Sequence, residues 1–105
     1  MTPPLTQAVL ADLEAKLDRA VAAHRAGLLD DAEHTYREVL EAAPDDPEVL
    51  QRLGTVLGTR WRDDEEGAEA VALLERAAAL SGPVTERNAG LHNNLGNALR
   101  RTGRR

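Results

Sequence analysis

Cysteine is missing from this 105-residue chain, which removes disulfides, thiol nucleophiles and thiolate metal sites from consideration. Aromatic residues are nearly missing too: Tyr36 and Trp61 make up the whole 2%. The core therefore has to be built from many close contacts rather than a few large rings, and little is offered on which bases could stack. No apolar run approaches the roughly 18 residues of a membrane span. β-branched residues are scarce, which argues against strands. Lysine occurs once, at Lys16, and the other basic residues are arginine, a bias that reads as codon usage. The net charge of −5 argues against wholesale nucleic-acid binding. The first residues, MTPPLTQAVLADLEAK, hold no basic segment followed by an apolar run, so no secretory signal is expected and the compartment expected is the cytoplasm.

What the chain does have is alanine and leucine, which supply most of its 42% hydrophobic content, at helical spacing. Leu10, Leu13, Leu17, Ala20, Val21 and His24 form one stripe. Thr2-Pro3-Pro4 is a start signal, and Gly27 is a natural left-handed stop. Asp30-Asp31-Ala32-Glu33 has the form of a capping box. Asp46-Pro47 offers an N-cap followed by a first helical residue. Ser81-Gly82-Pro83 is a break. The expectation is a single all-α domain over residues 1–105, with five helices at about 5–26, 29–43, 47–59, 64–80 and 85–102.

An internal repeat organises these helices. Leu53-Gly54-Thr55-Val56-Leu57 returns as Leu95-Gly96-Asn97-Ala98-Leu99, 42 residues later. Gly27, Ala32, Tyr36, Leu40 and Pro44 then read as the second half of an earlier unit, preceded by Ala20 at its small position. Ala70, Leu74 and Ala77 continue the middle unit, and Gly103 follows the last motif. This order of residues resembles the tetratricopeptide repeat, a helix-turn-helix unit of about 34 residues, here as about two and a half units. The resemblance implies antiparallel helix pairs stacked in a short right-handed superhelix. Gly54 and Gly96 would lie where helices cross, facing small residues such as Ala32 and Ala70. The 42-residue spacing exceeds the family period, and the extra residues are expected in the Arg60–Gly67 turn and the Ser81–Asn88 link. The segment Gly90–Leu99 is also similar to repeats that precede some bacterial glycosyltransferase-type enzymes.

No reaction is legible. His24, His34 and His92 lack the i, i+4 spacing of a helical metal pair. Asp63-Asp64-Glu65-Glu66 lacks the alternation and central glycine of a calcium loop and reads as a charged helix N-terminus. Ser81 and Thr85 have no histidine in a triad-like context. Gly82-Pro83 offers no run of amides to a phosphate. No enzyme activity, cofactor or metal is expected. Arg100 and Arg101 suit a helix C-terminus, and Trp61 is expected to tuck under its turn as an anchor. Leu91, Leu95 and Leu99 are expected to be partly uncovered at the end of the stack.

The resemblance implies a non-catalytic protein-interaction module whose concave groove holds a peptide or helix of a partner protein. The groove residues it implies are Leu17, Val21, His24 and Arg25, then Gln51, Thr55 and Gly58, then Asn93, Asn97, Arg100 and Arg101. The implied ligand has an apolar end and an acidic end. Leu17 and Val21 stand where some relatives clamp a chaperone C-terminus with lysine and asparagine, which argues against that activity. The alternative is a self-associating unit using the last helix, or an N-terminal recruitment or oligomerisation domain of a larger enzyme.

Overall fold

The computed structural model describes residues 7–86 and 88–102, and all regular structure within them is helical. The five helices are α1 (Gln7–Arg25), α2 (Leu29–Ala42), α3 (Pro47–Arg60), α4 (Asp64–Ser81) and α5 (Ala89–Arg101). Successive helices pack as neighbours, and the firmest pairings are the two hairpins α1–α2 and α3–α4. The Thr2-Pro3-Pro4 start and Gly103 lie outside the described residues.

Each end has a local cause. Gly27 takes φ +80°. The Leu28 amide donates to the Ala23 carbonyl at 2.9 Å and the Gly27 amide to that of His24 at 3.0 Å, the paired bonds of a Schellman turn. The Asp46 carboxylate accepts from the Glu48 and Val49 amides at 3.0 and 3.4 Å, with Pro47 in the first turn. Asp63 caps α4 by accepting from the Glu66 amide at 2.8 Å.

Three expectations are corrected. The capping box at Asp30 does not form: Leu28 is the N-cap and no side chain caps α2. Asp30 and Glu33 are drawn instead to Arg60, where both partners of each bond are ionised. The last helix starts at Ala89, not near Thr85. Asn88 accepts from the Thr85 amide at 2.6 Å and donates to the Pro83 carbonyl at 3.0 Å, local bonds that compete with helix formation. The extra residues of the long repeat are not in the Trp61 turn. That turn is short; α4 has 18 residues where α2 has 14, and the link after α4 is longer than the one after α2.

The core has two parts. Ala20, Ala32, Tyr36, Val49, Leu53 and Val56 centre the first, and Leu50, Val71, Leu74, Ala77 and Leu91 the second. Small residues set the spacing. A Cβ on Gly54 would lie 2.8 Å from Leu74 Cγ and 3.3 Å from the Ala70 carbonyl oxygen, so α3 and α4 meet backbone to side chain there. Gly96 does not play the same part: a Cβ there would meet nothing within 4 Å, because no helix packs against α5 as α4 packs against α3. Leu91 is buried under α4, while Leu95 and Leu99 are half-buried. Leu10 is exposed rather than part of the stripe.

An ion network closes the back of α2, α3 and α4. Arg60, at the end of α3, donates to Asp30 at 2.5 Å, Glu33 at 2.6 Å and Glu66 at 2.6 Å. Arg62 shares Glu66 at 2.9 Å. Arg37 bonds Glu33 and grips Glu69 with two bonds of 3.0 Å. Glu66 is 8% exposed. Burial alone would raise the pKa of both Glu33 and Glu66, but the arginine bonds outweigh it and hold both carboxyls below their ordinary value. Burial likewise opposes the charge on Arg60, and the bonds from Glu66 and Glu33 hold its pKa above the usual value.

Candidate interaction channel

On the opposite side, α1, α3 and the α4–α5 link enclose an open channel of about 840 Å³. Its walls are His24 from α1, a strip of α3 from Pro47 to Thr55, and Ser81, Thr85, Asn88 and Asn94 beyond. The α3 strip carries Glu48, Gln51, Arg52 and Thr55 because residues three and four apart share a face. The charges there cancel, since Arg52 donates to Glu48 at 3.0 Å. What remains is a polar, nearly neutral surface of amides and hydroxyls, each able to donate and accept hydrogen bonds.

Tyr36 lies beneath the α1 wall. It is fully buried, and among the described residues its hydroxyl has no hydrogen bond of good geometry, although the Arg52 guanidinium lies near enough to act on it. His24 meets its ring edge-on, with centroids 6.5 Å apart at 88°. Burial, then the positive charge of Arg52, pushes the His24 pKa below its ordinary value. Burial chiefly pushes that of Tyr36 up. The lowered pKa favours the neutral form of His24 near pH 7.

A smaller cavity of about 220 Å³ opens from the same side, where α3 and α5 diverge. Gly54, Leu74 and Ala98 form its apolar floor, and Thr55, Asn94 and Asn97 edge it. Two hydrogen bonds span the gap: Asn94 to the Thr55 hydroxyl at 3.3 Å, and Arg101 to the Gly58 carbonyl at 2.7 Å. Trp61 forms one wall. It is the C-cap of α3 at φ +32°, an uncommon conformation for a bulky residue. Its ring lies against Gly67, where a Cβ would come within 2.3 Å of two ring carbons. The Arg101 guanidinium sits 4.2 Å from a ring centroid, in cation–π range. The expected anchor role of Trp61 is what its packing shows.

Of the residues implied for the groove, His24, Gln51 and Thr55 are together in the channel. Thr55 also lines the smaller cavity, with Gly58, Asn97 and Arg101. Leu17 and Val21 are half-buried, pack against the first core and line neither space. Arg25, Asn93 and Arg100 are exposed and line neither space. Asn94 was missed although it lines both. It stands 42 residues after Arg52, itself a channel residue, so the internal period was the signal that could have found the pair.

Other polar candidates are accounted for locally. His34 is 79% exposed and bonds Glu38 at 2.9 Å. His92 is half-buried, with a buried Nε2 that has no hydrogen-bond partner. In the acidic run, Asp63 serves as the cap of α4 and Glu66 takes up two arginines. Among the described residues, no helix is long and apolar enough to cross a membrane.

The comparisons agree with this architecture. A family model for the tetratricopeptide repeat matches residues 13–56, from the middle of α1 through most of α3. No curated protein matches the chain.

Proposed function

We propose, from the premise that the chain belongs to the tetratricopeptide-repeat family, that it is a non-catalytic interaction module binding a segment of another protein in the α1–α3–α5 channel. Repeats of this kind generally mediate protein–protein interaction and are typically without enzymatic activity. The observation that carries the reading is the chemistry of the channel. Its charges are mutually cancelled, its histidine is neutral, and its remaining groups are amides and hydroxyls suited to a polypeptide backbone. The ligand is an extended or helical segment. An apolar end facing α1 is not part of the proposal, because Leu17 and Val21 belong to the core.

The test is affinity capture with the wild-type chain and a Gln51→Arg/Thr85→Arg variant, followed by direct titration of any captured protein in purified form. Circular dichroism confirms that the variant is folded. A purified partner that binds the wild type and loses affinity for the variant supports the reading. A partner bound equally by both would place the contact elsewhere.

A second reading is that α5 is an assembly surface. It is favoured by the open space around Gly96, by exposed Leu80 at the end of α4 and by exposed Val84 on the link that follows. In that case the chain would associate with copies of itself, or serve as a recruitment or oligomerisation domain within a larger enzyme. Its signature is a melting temperature that rises with protein concentration.

A further inference from the structure

We infer that the gap between α3 and α5 is an anchor pocket for one bulky apolar side chain of the bound segment, with a carboxylate of the same segment meeting Arg101 at its rim and Arg100 just outside it, where Arg100 bonds the lining residue Asn97. The inference rests on the channel reading above, since the pocket opens from the channel's side and shares Thr55 and Asn94 with it.

Size comes first. An apolar cavity of about 150 Å³ stays dry and takes a benzene-sized group. At about 220 Å³, this pocket takes one leucine, methionine or phenylalanine side chain. Its floor is hydrocarbon, while the Asn94 and Asn97 amides at the edge are placed to bond the backbone that carries the inserted side chain.

The second observation is Gly58, inside α3. An added Cβ there would meet nothing nearer than Ala70 Cβ at 4.0 Å, so helix packing leaves room for alanine. Glycine in a helix interior costs about 0.5–1 kcal/mol relative to alanine. What glycine does at 58 is leave the pocket wall open.

The third observation is charge. Arg37, Arg52, Arg60 and Arg76 on α2, α3 and α4, and Arg62 in the α3–α4 turn, each pair with a carboxylate. Arg101 instead faces a carbonyl and an aromatic ring, and Arg100 bonds only the Asn97 amide oxygen. Among the described residues these two arginines have no carboxylate partner, as is also true of Arg19 and Arg25 on α1, but only these two stand at the apolar pocket; in a chain of net charge −5 they are complementary to an acidic residue next to an apolar anchor. The partner is thus a protein segment that places leucine, methionine or phenylalanine within about one helical turn of aspartate or glutamate.

The test is selection of peptides from a phage-displayed random dodecapeptide library on the full chain. Selected peptides are then titrated while following the emission of Trp61, the only tryptophan and a wall of the pocket. The expected peptides pair a bulky apolar residue with a nearby acidic one and shift the Trp61 emission. Gly58→Leu should weaken them at least tenfold. Arg100→Glu, on an exposed side chain outside the core, should weaken them severalfold and flatten their salt dependence, which keeps the test open if Gly58→Leu fails to fold. Peptides weakened by Gln51→Arg/Thr85→Arg but indifferent to Gly58→Leu and Arg100→Glu would overturn the pocket and leave the channel reading standing. Peptides indifferent to all of these variants would overturn both. A dimer in sedimentation that is abolished by Gly58→Leu would assign the pocket to a second copy and overturn the inference.

Discussion

Gly54 and Gly96 occupy the same place in the same five-residue motif, yet alanine at each should have opposite effects. At position 96 an added methyl meets nothing within 4 Å, so only the backbone benefit remains. Alanine in a helix interior is favoured over glycine by about 0.5–1 kcal/mol, and Gly96→Ala should stabilise by that amount. At position 54 the same backbone gain is opposed by contacts of 2.8 Å to Leu74 Cγ, 3.1 Å to Leu74 Cδ2 and 3.3 Å to the Ala70 carbonyl. Leu74 is buried in the second core and the carbonyl belongs to the α4 backbone, so neither can move away freely. Overpacking of this kind costs about 1–3 kcal/mol, leaving a net loss of about 1 kcal/mol for Gly54→Ala. The two variants should therefore differ by about 2 kcal/mol, or roughly 8–16 °C in melting temperature for a chain of this length. Urea titration followed by helical circular dichroism measures both. Equal stabilisation by the two alanines would refute the close α3–α4 approach. Destabilisation by Gly96→Ala would mean that α5 is covered.

Tyr36→Phe should leave stability unchanged or slightly higher, because the hydroxyl it removes is buried without a hydrogen bond of good geometry; a loss above about 1 kcal/mol in urea titration would reveal a bond not seen in the structure. Arg60→Met should cost up to about 3 kcal/mol, since it strips one of two arginine partners from nearly buried Glu66 and one of two from Glu33; a denaturation midpoint equal to the wild type would contradict this. Acid should act through the same carboxyls. Their folded pKa values lie below the ordinary 4.5, so their contribution is complete above about 4.5 and is lost as pH falls through the folded values; Glu66→Gln should flatten that part of the stability profile. His24 adds a separate slope. Its folded pKa lies below 6.5, so the unfolded chain takes up the proton first and stability declines as pH drops below about 6.5. His24→Gln should remove that slope.

The helices were legible where one local signal governed each end. Gly27 and the Asp46-Pro47 pair needed nothing from the rest of the chain, and both work as their residue types imply. Asp30 misled because the competing partner is Arg60, thirty residues away, and no local pattern announces a long-range guanidinium. Thr85 misled for the reverse reason, since Asn88 and Pro83 hold the link in bonds finer than helical periodicity. The motifs at Gly54 and Gly96 share the pattern Leu-Gly-x-x-Leu and differ in environment, because a residue's packing depends on the helix opposite it. The candidate site was legible on α3, where Gln51 and Thr55 follow from the repeat. It was less so on α5, where Asn94 lines both spaces while Asn93 and Arg100 line neither.

Trp61 and Gly67 form a lever. The indole can lie against the α4 backbone only while residue 67 has no side chain. Any larger residue there would push the ring outward, and with it the seat of Arg101 and one wall of the α3–α5 cavity. Position 67 lines no part of that cavity, yet its substitution would reshape it. In mutational terms the two sites are epistatic: a change at 67 should be tolerated once Trp61 has been replaced by a smaller residue, and harmful before. The order in which substitutions arrive would then decide whether the cavity between the helices survives.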